Sequence, residues 1–286
     1  MRGDALAARL LRPRSAAEAC RLLARTPGAI ALAGGTDAMV AWNAGGLAGR
    51  TFVDLSRLRP WTRIRANRAE LTIGALATHA AIIDDPFVRR RLPLLAAACA
   101  TVGGVQIQNR GTLGGNIANA SPAGDTFPPL AVYEAAVVAT NGTARREIPF
   151  LDVFAGVKRT TLAPGELIEA VRVKAPRRPG RQMFRKVGTR AAQAISKAVA
   201  AGLLWLRRDG TVEELRFALG SVAPTVRRLR AAEAYVRGRR LTPEVVGEAA
   251  RLVAEDVSPI DDVRSTAAYR LAVSRNLLSS FLSARP

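Results

Sequence analysis

Two glycine-rich loops contain the residues of this sequence that could do chemistry. The first reads Ala-Gly-Gly-Thr-Asp at residues 33–37, and the second reads Gln-Ile-Gln-Asn-Arg-Gly-Thr-Leu-Gly-Gly-Asn-Ile-Ala-Asn at residues 106–119. Glycine lets a ligand approach the main chain closely, and successive unobstructed N–H groups bind phosphate oxygens. Two such loops could hold two ends of one large phosphorylated cofactor. A cofactor-binding protein is therefore the first hypothesis.

The second loop is the more specific of the two. Thr112, Asn116 and Asn119 place hydroxyl and amide groups among its glycines, and a polar turn, Ser-Pro-Ala-Gly-Asp, continues it to Asp125. Asp125 could orient an amide or hydroxyl of a ligand, although a carboxylate that only caps a turn is an equally good interpretation. The first loop matches neither a P-loop nor the G-x-G-x-x-G fingerprint, so the sequence does not predict a plain Rossmann domain.

Cysteine and histidine are scarce in the chain. Cys20 and Cys99 are the only cysteines, and His79 is the only histidine. Two thiols alone cannot ligate an iron–sulfur cluster, and one histidine argues against a histidine-rich metal site or a Ser-His-Asp triad. We therefore expect no metal site and no catalytic side chain, with both cysteines as small core residues.

The chain is strongly basic, with 43 Lys and Arg against 23 Asp and Glu and a net charge of +20. The arginines are scattered and only 5% of the residues are aromatic, which does not favour base-stacking platforms. A codon bias towards arginine, or docking onto an acidic protein subunit, explains the charge at least as well, so nucleic-acid binding ranks last. No apolar stretch is long enough to span a membrane, and charges interrupt the apolar patches of residues 1–13, which favours a cytoplasmic location.

The elements around the first loop form a βαβ-like pattern. Ser15-Ala-Ala-Glu18 resembles a capping box and predicts a helix to about residue 25. A short buried strand at 28–33 ends on the glycines, a helix starts at Thr36-Asp37, and a strand follows at 51–55. Free N–H groups at a strand-to-helix turn favour a pyrophosphate.

The remainder of the chain separates into two parts at the Pro-Arg-Arg-Pro-Gly linker, residues 176–180. Before the linker we predict strands at 70–75, 117–118, 136–140, 146–148 and 167–173, a helix at 93–101, and a hairpin turn at Asn141-Gly142. After it we predict strands at 182–187, 198–205 and 215–220, and then helices at 231–237, 243–255 and 267–282.

Both loops, taken with several ordered motifs, resemble the FAD-binding medium subunit of molybdenum hydroxylases. That family includes the flavoprotein subunits of carbon monoxide dehydrogenase and of bacterial xanthine dehydrogenases. The similarity covers essentially the whole chain and also includes the motifs at 53–58, 73–79, 162–168, 185–190 and 259–270.

The resemblance implies an α+β protein with a two-subdomain FAD-binding fold of the vanillyl-alcohol-oxidase type, followed by a small α+β domain. The FAD-binding domain would span residues 1–176, with subdomains at about 1–58 and 59–176, and the C-terminal domain residues 181–286.

The resemblance also implies which residues contact FAD. The backbone of both loops would receive the pyrophosphate, Asp125 would contact the flavin or ribityl region, and Lys186 would lie near the isoalloxazine edge, where it could favour reduced, anionic flavin. An exposed surface lysine is the alternative for Lys186, core filling is the alternative for Leu167 and Ile168, and a structural role at a helix start is favoured for His79. The expected cofactor-binding residues are Ala33, Gly34, Gly35, Thr36, Asp37, Gly111, Thr112, Gly114, Gly115, Asn116, Asp125, Leu167, Ile168 and Lys186.

By resemblance, the chain is an electron-transfer subunit with FAD as its cofactor. Its partners would be a large molybdenum-cofactor subunit and a small [2Fe–2S] subunit, and its acceptor NAD or a quinone. Asn43 and Gln108 stand where many relatives carry a lysine and an arginine, so positive charge is lost near the expected phosphate site. The alternative is a degenerate, non-catalytic assembly subunit that binds FAD weakly or not at all.

Overall fold

The N-terminal part of the chain is built on a small parallel sheet. The computed structural model describes residues 8–191 and 193–284. Its first elements are β1 (Arg9–Leu11), α1 (Ala16–Arg25), β2 (Ile30–Leu32), α2 (Ala38–Asn43) and β3 (Thr51–Asp54). Strand β3 lies between β1 and β2 and pairs with both in parallel. The βαβ unit around the first loop is thus confirmed.

Helix α1 begins where the Ser15-Glu18 pattern predicts. Ser15 Oγ accepts a hydrogen bond from the Glu18 N–H at 3.1 Å, while the Glu18 carboxylate accepts one from the Arg14 N–H at 2.8 Å. The glutamate therefore reaches one residue beyond the position of the usual capping box. Cys20 of α1 is buried in a cluster with Val53 and other apolar residues, as expected of a core thiol.

The middle of the chain forms a five-stranded antiparallel sheet in the order β4-β5-β10-β6-β7, with helices packed on it. Its first elements along the chain are β4 (Ile64–Ala66), β5 (Glu70–Gly74), α3 (His79–Asp84), α4 (Pro86–Arg91), α5 (Pro93–Ala100), α6 (Val105–Gln108), α7 (Leu113–Ala118) and α8 (Phe127–Val132). The strands that follow are β6 (Ala136–Thr140), β7 (Arg145–Pro149), β8 (Phe154–Gly156), β9 (Arg159–Thr160) and β10 (Leu167–Lys174).

One predicted strand is wrong. Residues 117 and 118 end helix α7, whose first backbone bond runs from the Asn116 N–H to the Thr112 carbonyl at 2.9 Å. Two apolar residues are too few to distinguish a strand from a helix by periodicity. The hairpin at Asn141-Gly142 is confirmed, with a four-residue loop that closes on the Thr140–Arg145 pair.

The C-terminal part is an antiparallel sheet with three helices on one face. Its elements are β11 (Arg181–Val187), β12 (Ala198–Leu206), β13 (Val212–Gly220), β14 (Arg227–Arg228), α9 (Arg230–Val236), α10 (Pro243–Asp256) and α11 (Ala267–Ser283). Alternate residues of β12 face the helices α9–α11 or the core of the five-stranded sheet. Strand β12 is therefore buried on both faces, which is why its sequence is a continuous apolar run.

Some expectations extend beyond the residues that the structure describes. Residues 1–7, part of the segment compared with a secretion signal, lie outside the described residues, as do residues 285–286 at the end of the expected C-terminal domain. Within the described residues, we find no helix that is both long and apolar enough to cross a membrane.

Candidate functional site

The two glycine loops meet in the fold. A Cβ atom added at Gly34 would lie 1.8 Å from the carbonyl oxygen of Arg110 and 3.1 Å from the Cα of Gly111. The loops are thus in backbone contact at a point where only glycine fits. The turn between β2 and α2 therefore lies directly against the segment before α7.

The first loop presents unpaired backbone donors. Within residues 8–191 and 193–284, no atom accepts a hydrogen bond from the N–H of Gly34, Gly35, Thr36 or Asp37. Gly35 has a φ of +78°, which glycine adopts without strain. Asp37 occupies the cap position of α2 but makes no side-chain cap bond. The N–H groups and the start of the helix therefore favour an anion.

The second loop is held rigidly by its neighbours. The N–H groups of His79, Leu113 and Gly114 hydrogen-bond to the carbonyls of Gly111, Ala77 and Ala75 at 2.9, 3.0 and 2.8 Å. A Cβ at Gly114 would lie 2.6 Å from that of Ala75, so this glycine allows close packing onto the segment after β5.

The polar side chains of the second loop bond within the protein. Thr112 Oγ1 caps α7 by accepting a hydrogen bond from the Gly115 N–H at 3.1 Å. Asn116 Oδ1 accepts one from Thr126 Oγ1 at 2.6 Å. Neither Thr126 nor this bond was expected from sequence, although Thr126 directly follows Asp125. These side chains and the backbone bonds fix the loop, and within residues 111–116 only the N–H of Thr112 lacks an acceptor among the described residues.

Asp125 and Lys186 form a buried ion pair. Lys186 Nζ lies 2.6 Å from Asp125 Oδ2 and also donates to the Thr101 carbonyl at 2.9 Å, and the lysine side chain is only 11% exposed. The alternative of an exposed surface lysine is thereby wrong. Since Lys186 is on β11, the pair joins the C-terminal sheet to the polar turn that follows the second loop.

Burial dominates the electrostatics of this pair. It raises the pKa of Asp125 to about 6, although the Lys186 ammonium opposes the rise. Asp125 Oδ1 is buried and has no hydrogen-bond partner among the described residues. Ser196 lies beside it, but the hydroxyl of Ser196 is 2.8 Å from that of Ser221. A buried carboxylate oxygen without a partner is costly and is a mark of a functional site.

The sequence did not reveal the contribution of Thr101, Ser196 and Ser221 to this site. Ser221 follows β13 with a φ of +66° and donates its N–H to the Pro122 carbonyl at 2.9 Å. A non-glycine residue with positive φ is unusual enough to draw attention to a site. No local sequence pattern predicts this arrangement, because the residues come together only when the C-terminal sheet packs on the polar turn.

Leu167, Ile168 and His79 are buried in the fold. Leu167 packs in the cluster of α1 and β3, and Ile168 in the core of the five-stranded sheet, so both fill a core; their contact with FAD stays a prediction. His79 is the first residue of α3, as its favoured structural role requires, and its ring lies against Gly111. Desolvation lowers the pKa of His79 to about 4, so the imidazole is neutral near pH 7.

One substituted position lies outside the two loops, and the other lies within the second loop. Asn43 ends α2 and is exposed, one helix away from the first loop. Gln108 Nε2 donates to the Ala100 carbonyl at 3.0 Å, which ties α6 to α5. Arg110, whose carbonyl touches Gly34, is exposed and supplies a positive charge in the second loop itself.

FAD fits this donor set. The glycine contact forms a backbone cradle with no room for a side chain at Gly34, and the first loop offers N–H groups that lack an acceptor. A pyrophosphate satisfies such groups. Asp125 Oδ1 and the Lys186 ammonium add a buried acceptor and a cation at the polar turn that follows the second loop.

Comparisons with known proteins agree with this geometry. The family described as "FAD binding domain in molybdopterin dehydrogenase" matches residues 6–176, and "CO dehydrogenase flavoprotein C-terminal domain" matches residues 183–284. The chain is 31% identical to the carbon monoxide dehydrogenase medium chain of Hydrogenophaga pseudoflava, over 82% of this chain and 80% of that protein. It is 30% identical to a xanthine dehydrogenase FAD-binding subunit of Escherichia coli, over 93% and 92% of the two chains.

A solved structure shows the same fold. The structure of carbon monoxide dehydrogenase from Hydrogenophaga pseudoflava, lacking the Mo-pyranopterin moiety of its molybdenum cofactor, superposes with a TM-score of 0.91 at 30% identity, covering 99% of this chain and 97% of that one. The expected α+β fold, the family and FAD as cofactor are confirmed. The chain belongs to the family of FAD-binding, oxidoreductase subunits of molybdenum hydroxylases.

Proposed function

We propose that this chain carries electrons through FAD in a molybdenum hydroxylase complex, from the iron–sulfur clusters of a small [2Fe–2S] subunit to an acceptor such as NAD or a quinone. A large molybdenum-cofactor subunit would oxidise the substrate. The backbone contact of the two glycine loops carries the proposal, because it brings the unpaired N–H groups of the first loop beside the second loop, where one pyrophosphate could meet both. Names such as "medium chain" and "FAD-binding subunit" among the relatives support a multi-subunit assembly.

The two loops hold the pyrophosphate in this proposal. The N–H groups of residues 33–37 donate to its oxygens, and so does that of Thr112, with the starts of α2 and α7 adding favourable dipoles. The exposed Arg110 partly replaces the charge absent at positions 43 and 108. The remaining expected binding residues keep the roles stated above, and the domain limits 1–176 and 181–286 are part of the proposal.

Asp125 and Lys186 set the electrostatics at the redox end of the site. When bound, FAD supplies the two-electron chemistry, and the protein supplies binding, orientation and charge. The Lys186 ammonium stabilises negative charge on a neighbouring group, and Asp125 and the Thr101 carbonyl fix its position. No side chain of the site has to act as a general base. The cytoplasmic location and the absence of a nucleic-acid partner stay predictions.

The electron-transfer role is tested with the complex purified from the native host. Rapid anaerobic mixing with an excess of chemically reduced small subunit is expected to bleach the flavin absorption band, and a subsequent pulse of acceptor to restore it. Lys186→Met is expected to slow the bleaching and to lower the flavin potential. FAD that is bound yet never reduced by the partner would contradict the proposal and favour a non-catalytic assembly subunit.

A further inference from the structure

A cavity lies away from the glycine loops. Its volume is about 420 Å³, and it opens between the start of α1, the segment after β3 and one face of the five-stranded sheet. Its charged lining residues are Arg14, Arg57, Arg63, Arg65, Arg145 and Glu169. No residue of 33–37 or 106–119 lines it, so it is separate from the FAD cradle.

The arginines of this cavity are mostly uncompensated. Arg145 is paired with Glu169 through two hydrogen bonds of 2.6 and 3.1 Å. Arg14, Arg57, Arg63 and Arg65 have no carboxylate within ion-pair distance in the part of the chain that the structure describes. Four guanidinium groups around one cavity repel each other, and an anion bound among them would offset that repulsion by attracting all four.

The backbone adds to the positive potential of the cavity. Ser15 and Ala16, at the start of the ten-residue helix α1, belong to its wall. The N–H groups of Ala16 and Ala17 donate to no atom of residues 8–191 and 193–284. The positive end of the α1 dipole thus faces the same hollow as the arginines.

Size and lining indicate the kind of anion. A cavity of this volume lies within the range of sites for small molecules, and arginine presents a planar fork that matches phosphate oxygens in pairs. Leu58, Pro60 and Trp61 add an apolar wall for an attached organic group. We propose that this cavity binds a phosphate-bearing small molecule of about mononucleotide size, at a site distinct from that of FAD.

The test uses the full chain saturated with FAD, so that the glycine loops are already occupied. Calorimetric titration with ADP, ATP and inorganic pyrophosphate is expected to show one binding event that weakens as salt is added. Arg63→Gln combined with Arg65→Gln is expected to lower the affinity at least about tenfold, since hydrogen bonds between charged groups are lost. Arg208→Gln combined with Arg237→Gln removes the same charge from exposed positions elsewhere and is expected to leave the affinity unchanged.

A second variant separates recognition from folding. Arg63→Lys combined with Arg65→Lys keeps the charge but removes the paired donors, and an intermediate affinity is expected. The proposal is overturned if FAD-saturated protein binds none of the three probes, or if both Gln pairs weaken binding equally. It is also overturned if none of the probes binds and only the Arg63/Arg65 variants lose the binding of a protein partner. The cavity would then belong to a docking surface for a protein. FAD content, measured in every variant, reports separately on the cofactor site.

Discussion

At the scale of single residues, the contact between the two loops makes position 34 intolerant of any side chain. A Cβ there would lie 1.8 Å from the Arg110 carbonyl oxygen, and a backbone atom cannot swing aside as a side chain can. We expect Gly34→Ala to separate the loops, abolish FAD retention and destabilise the protein by about 1–3 kcal/mol. FAD content after gel filtration and urea unfolding would measure both effects.

Gly247 provides the matched control for this substitution. A Cβ at Gly247, within α10, meets no atom within 4 Å. Gly247→Ala should therefore keep its FAD and gain about 0.5–1 kcal/mol of stability from the better helix former. Full FAD retention by Gly34→Ala would refute the shared cradle.

The protonation of Asp125 is expected to appear in the pH dependence of unfolding. Its pKa is raised in the native protein from 3.8 to about 6, mainly by burial. Between these two pH values, Asp125 is protonated in the native protein and ionised in the unfolded chain. This contribution to stability is complete below pH 3.8 and is lost as the pH rises through about 6. In FAD-depleted protein, Asp125→Asn should remove that part of the slope. Parallel profiles for the two proteins in urea titrations across this pH range would show that the prediction is wrong.

At the scale of elements, two helix caps of the same kind have different consequences. Thr112 caps α7 beside the FAD cradle, and Ser15 caps α1 away from it; each side chain accepts an N–H at 3.1 Å. Substituting either by alanine should cost about 1 kcal/mol of stability. Only Thr112→Ala should also weaken FAD binding, because the second loop enters α7 through this residue. Fluorescence titration of the apoprotein with FAD would distinguish them, and equal affinities would contradict a role for α7.

At the scale of the whole molecule, a buried ion pair fixes the C-terminal sheet to the FAD-binding part. Arg228 Nε lies 2.6 Å from Glu233 Oε1, with side chains only 3% and 7% exposed, and Arg228 Nη1 donates to the Ala131 carbonyl of α8 at 3.3 Å. Glu233→Gln leaves the buried guanidinium with only the half-exposed Glu134, 3.5 Å away, as a carboxylate partner, and should destabilise the protein by up to about 3–5 kcal/mol.

An exposed ion pair on α10 controls for loss of charge alone. Glu248 and Arg251 lie 2.6 Å apart on its solvent face. Glu248→Gln should leave the free energy of unfolding almost unchanged, because water and salt screen an exposed ion pair. Chemical denaturation of both variants would measure the difference, and a small effect of Glu233→Gln would show that the domain contact depends on apolar packing alone.

The sequence by itself determined the elements and the nature of the cradle. Local signals sufficed for the cap at Ser15, the βαβ unit around residues 33–37 and the break between β10 and β11, because these depend on neighbouring residues. The strand expected at 117–118 was wrong, because two apolar residues are too few to show the periodicity of a strand or a helix. The ordered motifs along the chain identified the family and its cofactor.

Only the tertiary structure decided how distant groups meet. It brought Gly34 against the Arg110 carbonyl, buried Lys186 on Asp125, and gathered the cavity arginines from α1, the segment after β3 and the five-stranded sheet. Contacts to backbone carbonyls, the exposure of side chains and uncompensated charge cannot be predicted from periodic patterns in a sequence. They depend on the packing of segments that are far apart along the chain. The sequence thus predicted two phosphate-binding loops, and the fold brought them into backbone contact.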